Sequence, residues 1–185
     1  MDTLTHLSKL ELEAGLEHIR QSPKDEGKVM LIVRRPEVEK RETLEACQVD
    51  LLEGLVGDNW KVRGSKVTSD GSANIHAQIA IMNSRTVALL AQAEDRWALA
   101  GDQLYVDMDL GDDNLPAGTR LAIGSAILEV SATPHTGCAK FSLRFGVEAH
   151  KFVNSPEGKQ LHLRGINTTV IRAGEIRVGD VVKKG

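Results

Sequence analysis

The sequence predicts a β-rich α+β fold, a mixed β-barrel with peripheral helices. Short Val/Ile/Leu runs recur at close spacing, divided by glycine turns, and are densest in the C-terminal third. Long helical stretches are few. Aromatic residues make up only 3% of the chain, so the core has to be assembled mostly from Val, Ile, Leu and Ala. A length of 185 residues suits one domain with a short appendage. Residues 1–27 are expected to form an N-terminal helix and connection, and residues 28–185 a single barrel domain.

Thr3 to Gln21 is expected to be a helix, with Leu4, Leu7, Leu10, Ala14, Leu16 and Ile19 on one broad face. Ser22-Pro23 ends it. Val29 to Val33 reads as a buried strand stopped by Arg34-Arg35-Pro36. Pro36 to Ala46 is highly charged, hence exposed, and is expected to turn helical towards its end. Gly54 to Trp60 carries turn chemistry, with Trp60 plugging a core. Ile75 to Met82 reads as a strand, and Ser84 as the cap of a helix running to about Gln92. Leu104 to Met108 reads as a strand. Further strands are expected at Arg120–Ile123, Ala126–Ala132, Ile166–Ile171 and Glu175–Val182. Cys138–Phe145 and Val147–Val153 read as short helices, with Phe141 and Phe145 one turn apart for packing. A faint echo relates the segments around Gly124 and Gly179, both read as hairpin turns.

Composition excludes several classes. Hydrophobic residues are 41% and charged residues 26%, which argues against disorder. The net charge of −3 is not that of a nucleic-acid or membrane-surface binder. No apolar run approaches the roughly 20 residues that span a bilayer, and the start lacks the features of a signal peptide. Two cysteines, Cys47 and Cys138, make no disulfide framework and fit a reducing, cytoplasmic location. The charge is uneven. Gly118 to Gly185 carries a net +5 and the rest a net −8, which either favours an anionic ligand in the C-terminal portion or reflects charges that are simply solvated.

The most informative stretch is Thr133-Pro134-His135-Thr136-Gly137-Cys138-Ala139-Lys140-Phe141. It places Cys138 at the start of a helix, where the helix dipole and free N–H groups favour the thiolate, the form that attacks and ligates. His135, Lys140 and Arg144 add positive charge nearby. The alternative is a buried, inert cysteine. Cys47, with no cationic neighbour within three residues, is expected to be a packing residue. His135 and Cys138 offer only two ligands, which argues against a zinc site. No phosphate-binding P-loop and no Gly-x-Ser-x-Gly elbow occurs. Gly57-Asp58 and Gly101-Asp102 read as turns. His76 precedes a strand, and Arg164 stands before Gly165 with the geometry to hold a phosphate or to face solvent.

With these residues in view, Gly54 to Val182 resembles the MOSC family, named for the C-terminal domain of molybdenum cofactor sulfurases. The resemblance rests on the order and spacing of Gly57-Asp58, Pro134 and Cys138, Arg164-Gly165, and Val178-Gly179-Asp180-Val181. It implies a strand-rich barrel whose cysteine, here Cys138, carries sulfur or ligates molybdenum. It implies binding of the molybdenum cofactor, an anionic molybdopterin, with Cys138 as catalytic residue and metal ligand. His135, Lys140, Arg144, Arg164 and His76 are candidate cofactor contacts. Some stand-alone members reduce N-hydroxylated compounds, so a molybdenum-dependent oxidoreductase is one implied activity. A persulfide sulfur carrier or sulfur transferase for metal–sulfur centre assembly is a second reading, and a non-catalytic binding domain a third. Expected partners are the pterin, a sulfur donor or a redox partner protein, with neither nucleic acid nor membrane. The pyridoxal phosphate domain of the large sulfurases has no room in this chain.

Overall fold

The computed structural model describes residues 5–185. Its strands are β1 (Glu26–Arg34), β2 (Glu42–Leu44), β3 (Ala46–Asp50), β4 (Gly54–Leu55), β5 (Ile79–Asn83), β6 (Leu104–Asp107), β7 (Arg120–Ile123), β8 (Ala126–Val130), β9 (Ile166–Arg172), β10 (Gly174–Arg177) and β11 (Val181–Lys184). Its helices are α1 (Lys9–Ala14), α2 (Leu16–Arg20), α3 (Trp60–Arg63), α4 (Ser84–Ala91), α5 (Ala139–Phe145), α6 (Val147–Asn154) and α7 (Pro156–Gln160). Two 3-10 segments lie at Ile75–Ala77 and Glu94–Ala100.

Seven strands close a barrel in the order β1, β6, β5, β9, β8, β7, β11 and back to β1. Every pairing is antiparallel except β5 with β6, which is parallel. β2 extends the sheet beside the end of β1. A second, small sheet runs β10-β3-β4. The expected mixed barrel with peripheral helices is the observed architecture.

Strand alternation divides the apolar residues between two cores. Ile32, Ile81, Leu104, Val106, Leu128 and Val170 belong to the barrel core, joined by Cys47, Val49, Leu55 and Ile176 of the small sheet. Their neighbours Val33, Met82 and Tyr105 join a second core under the helices, with Leu12, Ile19, Phe141, Phe145 and Val153. All five residues of β5 are buried because both its faces are covered. That is why it reads as an unbroken apolar run.

The N-terminal helix differs from expectation. Thr3 and Leu4 lie outside the described residues. Ser8 caps α1 with a capping box to Glu11, and the helix breaks at Gly15 into α1 and α2. A Cβ at Gly15 would stand 2.6 Å from Leu89, so this glycine admits the close approach of α4. Of the expected apolar face Leu7, Leu16 and Ile19 pack on the core, whereas Leu10 is 77% exposed and Leu12, outside that face, is buried.

Other corrections have local causes. Residues 36–46 end in strands rather than a helix. Leu44 and Thr43 pair with Ile32 and Val33, and Arg34 holds Glu42 at 2.7 Å. The cap of α4 is Asn83, whose side chain accepts from Arg85 and Thr86 N–H groups, not Ser84. Ile75–Ala77 is a 3-10 turn capped by Asn74 rather than strand. The stretch Glu175–Val182 breaks at Gly179, sending β10 to the small sheet and β11 to the barrel. The echo is therefore a true hairpin only at Gly124, where β7 pairs with β8. Ser155 and Pro156, directly after α6, start α7 as cap and first residue. No helix among the described residues is long and apolar enough to cross a membrane.

Candidate functional site

The loop from Ser131 to Cys138 is clamped from two sides. Asn167 of β9 donates to the carbonyls of Thr133 and Pro134 at 3.2 Å. On the other side the Gly137 N–H donates to Asn154 Oδ1 of α6 at 2.9 Å, and Asn154 Nδ2 donates back to the Gly137 carbonyl. A Cβ at Gly137 would lie 3.1 Å from both Asn154 and Val153, so glycine permits this tight seat on α6. The clamp delivers Cys138 to the N-cap of α5 in extended conformation. Phe141 and Phe145, buried with ring centroids 4.9 Å apart, anchor the helix behind it. The Cys138 thiol makes no capping hydrogen bond and is exposed.

Cys138 opens onto a cavity of about 190 Å³ walled by Arg35, Arg41, Arg63, Lys140 and Arg144, with Gly101 and Asn59. Glu37 and Glu39 are its only carboxylates among the described residues. Glu37, Val38, Asn59 and Arg63 also line an adjoining groove of about 600 Å³ that includes Pro36 and Val62. The two spaces form one groove, cationic at the thiol end.

The cations are not equally compensated. Arg35 is bound to Asp58 through Nε to Oδ1 at 2.9 Å and Nη2 to Oδ2 at 2.7 Å. Glu39 receives both Lys140, at 2.5 Å, and Arg144, at 2.7 Å. Arg41, by contrast, donates only to the Lys40 carbonyl, and its Nε is buried without a partner. Arg63 has no salt bridge among the described residues. Burial pushes the pKa of Arg41 down, and the nearby Arg144 and Arg35 push it further. Burial does the same at Arg63, followed by Arg35. Two guanidinium groups thus stand in a mutually repelling cluster with no salt bridge among the described residues, offset only at longer range by Glu39 for Arg41 and Asp58 for Arg63.

The cluster is held by one short stretch of backbone. The carbonyls of Leu99, Ala100 and Gly101, at the end of the 3-10 segment, each accept from a different arginine: Arg144, Arg164 and Arg35. The next residue, Asp102, is fully buried. Its carboxylate binds Arg164 Nη1 at 2.6 Å and His135 Nε2 at 2.7 Å. Burial alone would raise its pKa, but Arg164 and His135 outweigh that and hold it below the usual carboxylate range. The His135 pKa is shifted down by burial and then by Arg164, which together outweigh the opposing pull of the Asp102 carboxylate. Arg164 also lies over the Phe141 ring, 5.0 Å from its centroid.

The residues singled out by sequence fall into three places. Cys138, Lys140 and Arg144 meet in the cationic cavity. His135 and Arg164 join through Asp102 and line a separate cavity of about 510 Å³. His76 lies exposed in the 3-10 turn at Ile75–Ala77, among the lining of neither cavity. Cys47 is buried in β3, and burial pushes its thiol pKa up to about 12, so it is a packing residue. Sequence reading missed Arg35, Arg41, Arg63, Asp58 and Asp102. The Gly-Asp pairs, taken for turns, were the available signal: each places a carboxylate where an arginine needs a partner.

A closed barrel presenting an exposed thiol, at the N-cap position of a helix, to a cationic groove defines the class of protein. Residues 72–183 match the family described as MOSC domain, and the chain belongs to that family. In solved structures it is similar to the YuaD protein of Bacillus subtilis, at 16% identity and a TM-score of 0.59, covering 86% of this chain and 95% of that one. It is also similar to YiiM of Escherichia coli, at 15% identity and a TM-score of 0.55, covering 85% of this chain and 69% of that one. YiiM of Geobacillus stearothermophilus matches at 14% identity with a TM-score of 0.52, covering 86% and 75%. These likenesses establish the shared fold. Comparison with curated proteins finds no match.

Proposed function

We propose that this protein binds the molybdenum cofactor in the groove at Cys138, with the thiol as the one protein ligand to the metal. The observation that carries this is the exposed Cys138 thiol in one cavity with two guanidinium groups, Arg41 and Arg63, that make no salt bridge among the described residues. The donor set fits the group. A thiolate is a soft ligand suited to a metal–sulfur centre, and planar guanidinium forks suit a phosphate. Among the described residues no three His, Cys, Asp or Glu side chains converge to hold a bare metal ion. A metal at Cys138 therefore has to arrive with its remaining ligands, as a dithiolene pterin brings them.

When bound, the cofactor supplies two-electron redox chemistry at molybdenum. The chain orients it. Arg41, Arg63 and Lys140 would meet its anionic end, Arg144 is held in place by Leu99 and Glu39, and Cys138 would be the protein ligand to its metal. Pro36, Val38 and Val62 offer an apolar wall at the outer end of the groove. Reduction of N-hydroxylated compounds is the activity this site would serve.

The test is molybdenum and pterin content of protein expressed in a cofactor-competent, molybdenum-replete host. Wild type should retain both. Cys138→Ser should lose molybdenum, and Arg41→Ala should lower pterin retention. Absence of metal and pterin from wild type, with a mass increase of one sulfur on Cys138 after exposure to a persulfide donor, would favour the sulfur-carrier reading instead. The exposure of the thiol serves that reading equally well.

A further inference from the structure

The 510 Å³ cavity shares no lining residue with the Cys138 cavity, and the cofactor reading does not use it. It lies against the loop Ser131–Thr136, β9 and α7, and its volume falls within the roughly 300–1,000 Å³ of small-molecule sites. We propose that it is a second binding site, taking a small, largely apolar molecule that carries an O–H or N–H donor, which His135 Nδ1 and Asn167 Oδ1 accept.

His135 Nε2 sits 2.7 Å from the Asp102 carboxylate, which only accepts, so Nε2 carries the ring hydrogen. Arg164 and complete burial lock Asp102 in place, and with it this tautomer. The other nitrogen, Nδ1, has no hydrogen-bond partner among the described residues and is not a buried orphan, so it is an open acceptor. The low pKa of the ring, caused by burial and then Arg164, keeps its lone pair free near neutrality.

Asn167 offers the second acceptor. Both its N–H bonds go to carbonyls, of Thr133 and Pro134, which turns Oδ1 into the unused end. Ala117, Val130, Pro134, Val153 and Ile166 supply the apolar wall. His162 and Asp112 are paired with each other at 3.0 Å, and Arg164 with Asp102, which leaves Lys159 as the unpaired charge of the wall among the described residues. A cationic ligand is therefore disfavoured, and the two open acceptors, His135 Nδ1 and Asn167 Oδ1, select a molecule that carries a donor. The inference does not rest on the cofactor reading.

The matched probes are phenol and fluorobenzene, similar in size and differing in the donor. Each is titrated into the full chain carrying ¹⁵N-labelled histidine. Phenol should shift the His135 Nδ1 resonance saturably. Fluorobenzene should bind about tenfold more weakly, the cost of leaving a desolvated acceptor unmet, and should leave Nδ1 in place. Ala132→Phe, which fills the cavity from an exposed position, should abolish phenol binding. Cys138→Ser should bind phenol as wild type does, so that loss of the cofactor reading would leave this one standing. Equal affinities for the two probes, no His135 response up to the solubility of phenol, or undiminished binding in Ala132→Phe would each overturn the proposal.

Discussion

Replacing Asp102 by asparagine tests how the arginine cluster is held. The side chain is fully buried, and its main partner Arg164 is 7% exposed. Asparagine keeps the shape but removes the charge, leaving the Arg164 guanidinium buried with neutral partners: the Ala100 carbonyl, the Phe141 ring and the new amide. Breaking a buried pair from one side costs about 3–5 kcal/mol. One hydrogen bond survives in the isosteric variant, so about 3 kcal/mol is expected, more than a hundredfold in the folding equilibrium at about 1.4 kcal/mol per factor of ten. Set against a typical stability of about 5–15 kcal/mol, the variant still folds. Urea unfolding at pH 7.5 measures the difference from the shift in midpoint at constant slope. Adding Arg164→Met to the same chain should recover part of the loss by removing the orphaned cation. A loss below about 1 kcal/mol, as for a surface pair, or no recovery in the double variant, would refute the argument that this ion pair is desolvated and organises the site.

Other outcomes follow from the same structure. Stability should fall as the pH drops from 7 towards 5. The His135 pKa lies below its ordinary value of 6.5, so the unfolded chain takes up a proton that the folded one refuses. The slope is at most about 1.4 kcal/mol per pH unit, and it should flatten in His135→Gln. Iodoacetamide should alkylate Cys138 and leave Cys47 untouched in the native state, because one thiol is exposed and the other is buried with its pKa near 12. Mass mapping of the labelled peptides checks this. Gly124→Ala should lower the melting temperature: φ there is +56°, and a Cβ would meet the Glu175 carbonyl oxygen at 2.2 Å. Leu12→Ala should cost about 2–5 kcal/mol in urea unfolding, since Leu12 is 1% exposed in the core beneath the helices.

Much of the barrel was legible in the sequence because its strands are buried on one face or both, which leaves short aliphatic runs bounded by glycine. β5 and β9 are the clearest cases. The region around β2 was not legible, because Glu42 and Arg34 face solvent and only pairing with β1 makes the segment a strand. Gly15 hid the break between α1 and α2, since its reason, the Leu89 side chain, is remote in sequence. The site was half legible. Cys138 with Lys140 and Arg144 could be read from local spacing on α5. Arg35, Arg41 and Arg63 could not, because they come from the portion of net −8 and reach the thiol only through the fold. Charge summed along the chain therefore pointed to an anion site while missing three of its five cations. Asp102 looked like a turn residue beside Gly101. Its burial, and the three arginines gathered on the preceding carbonyls, exist only in three dimensions.

A cofactor bound in the Cys138 groove with this thiol on the metal would shield the thiol from solvent reagents. The most direct measurement is alkylation of Cys138 by iodoacetamide in cofactor-loaded and cofactor-free protein, read by peptide mass with Cys47 as the internal reference. Loading should protect Cys138 in proportion to bound molybdenum, and release of the cofactor should restore labelling. Full labelling of Cys138 in protein that retains stoichiometric molybdenum would contradict the account.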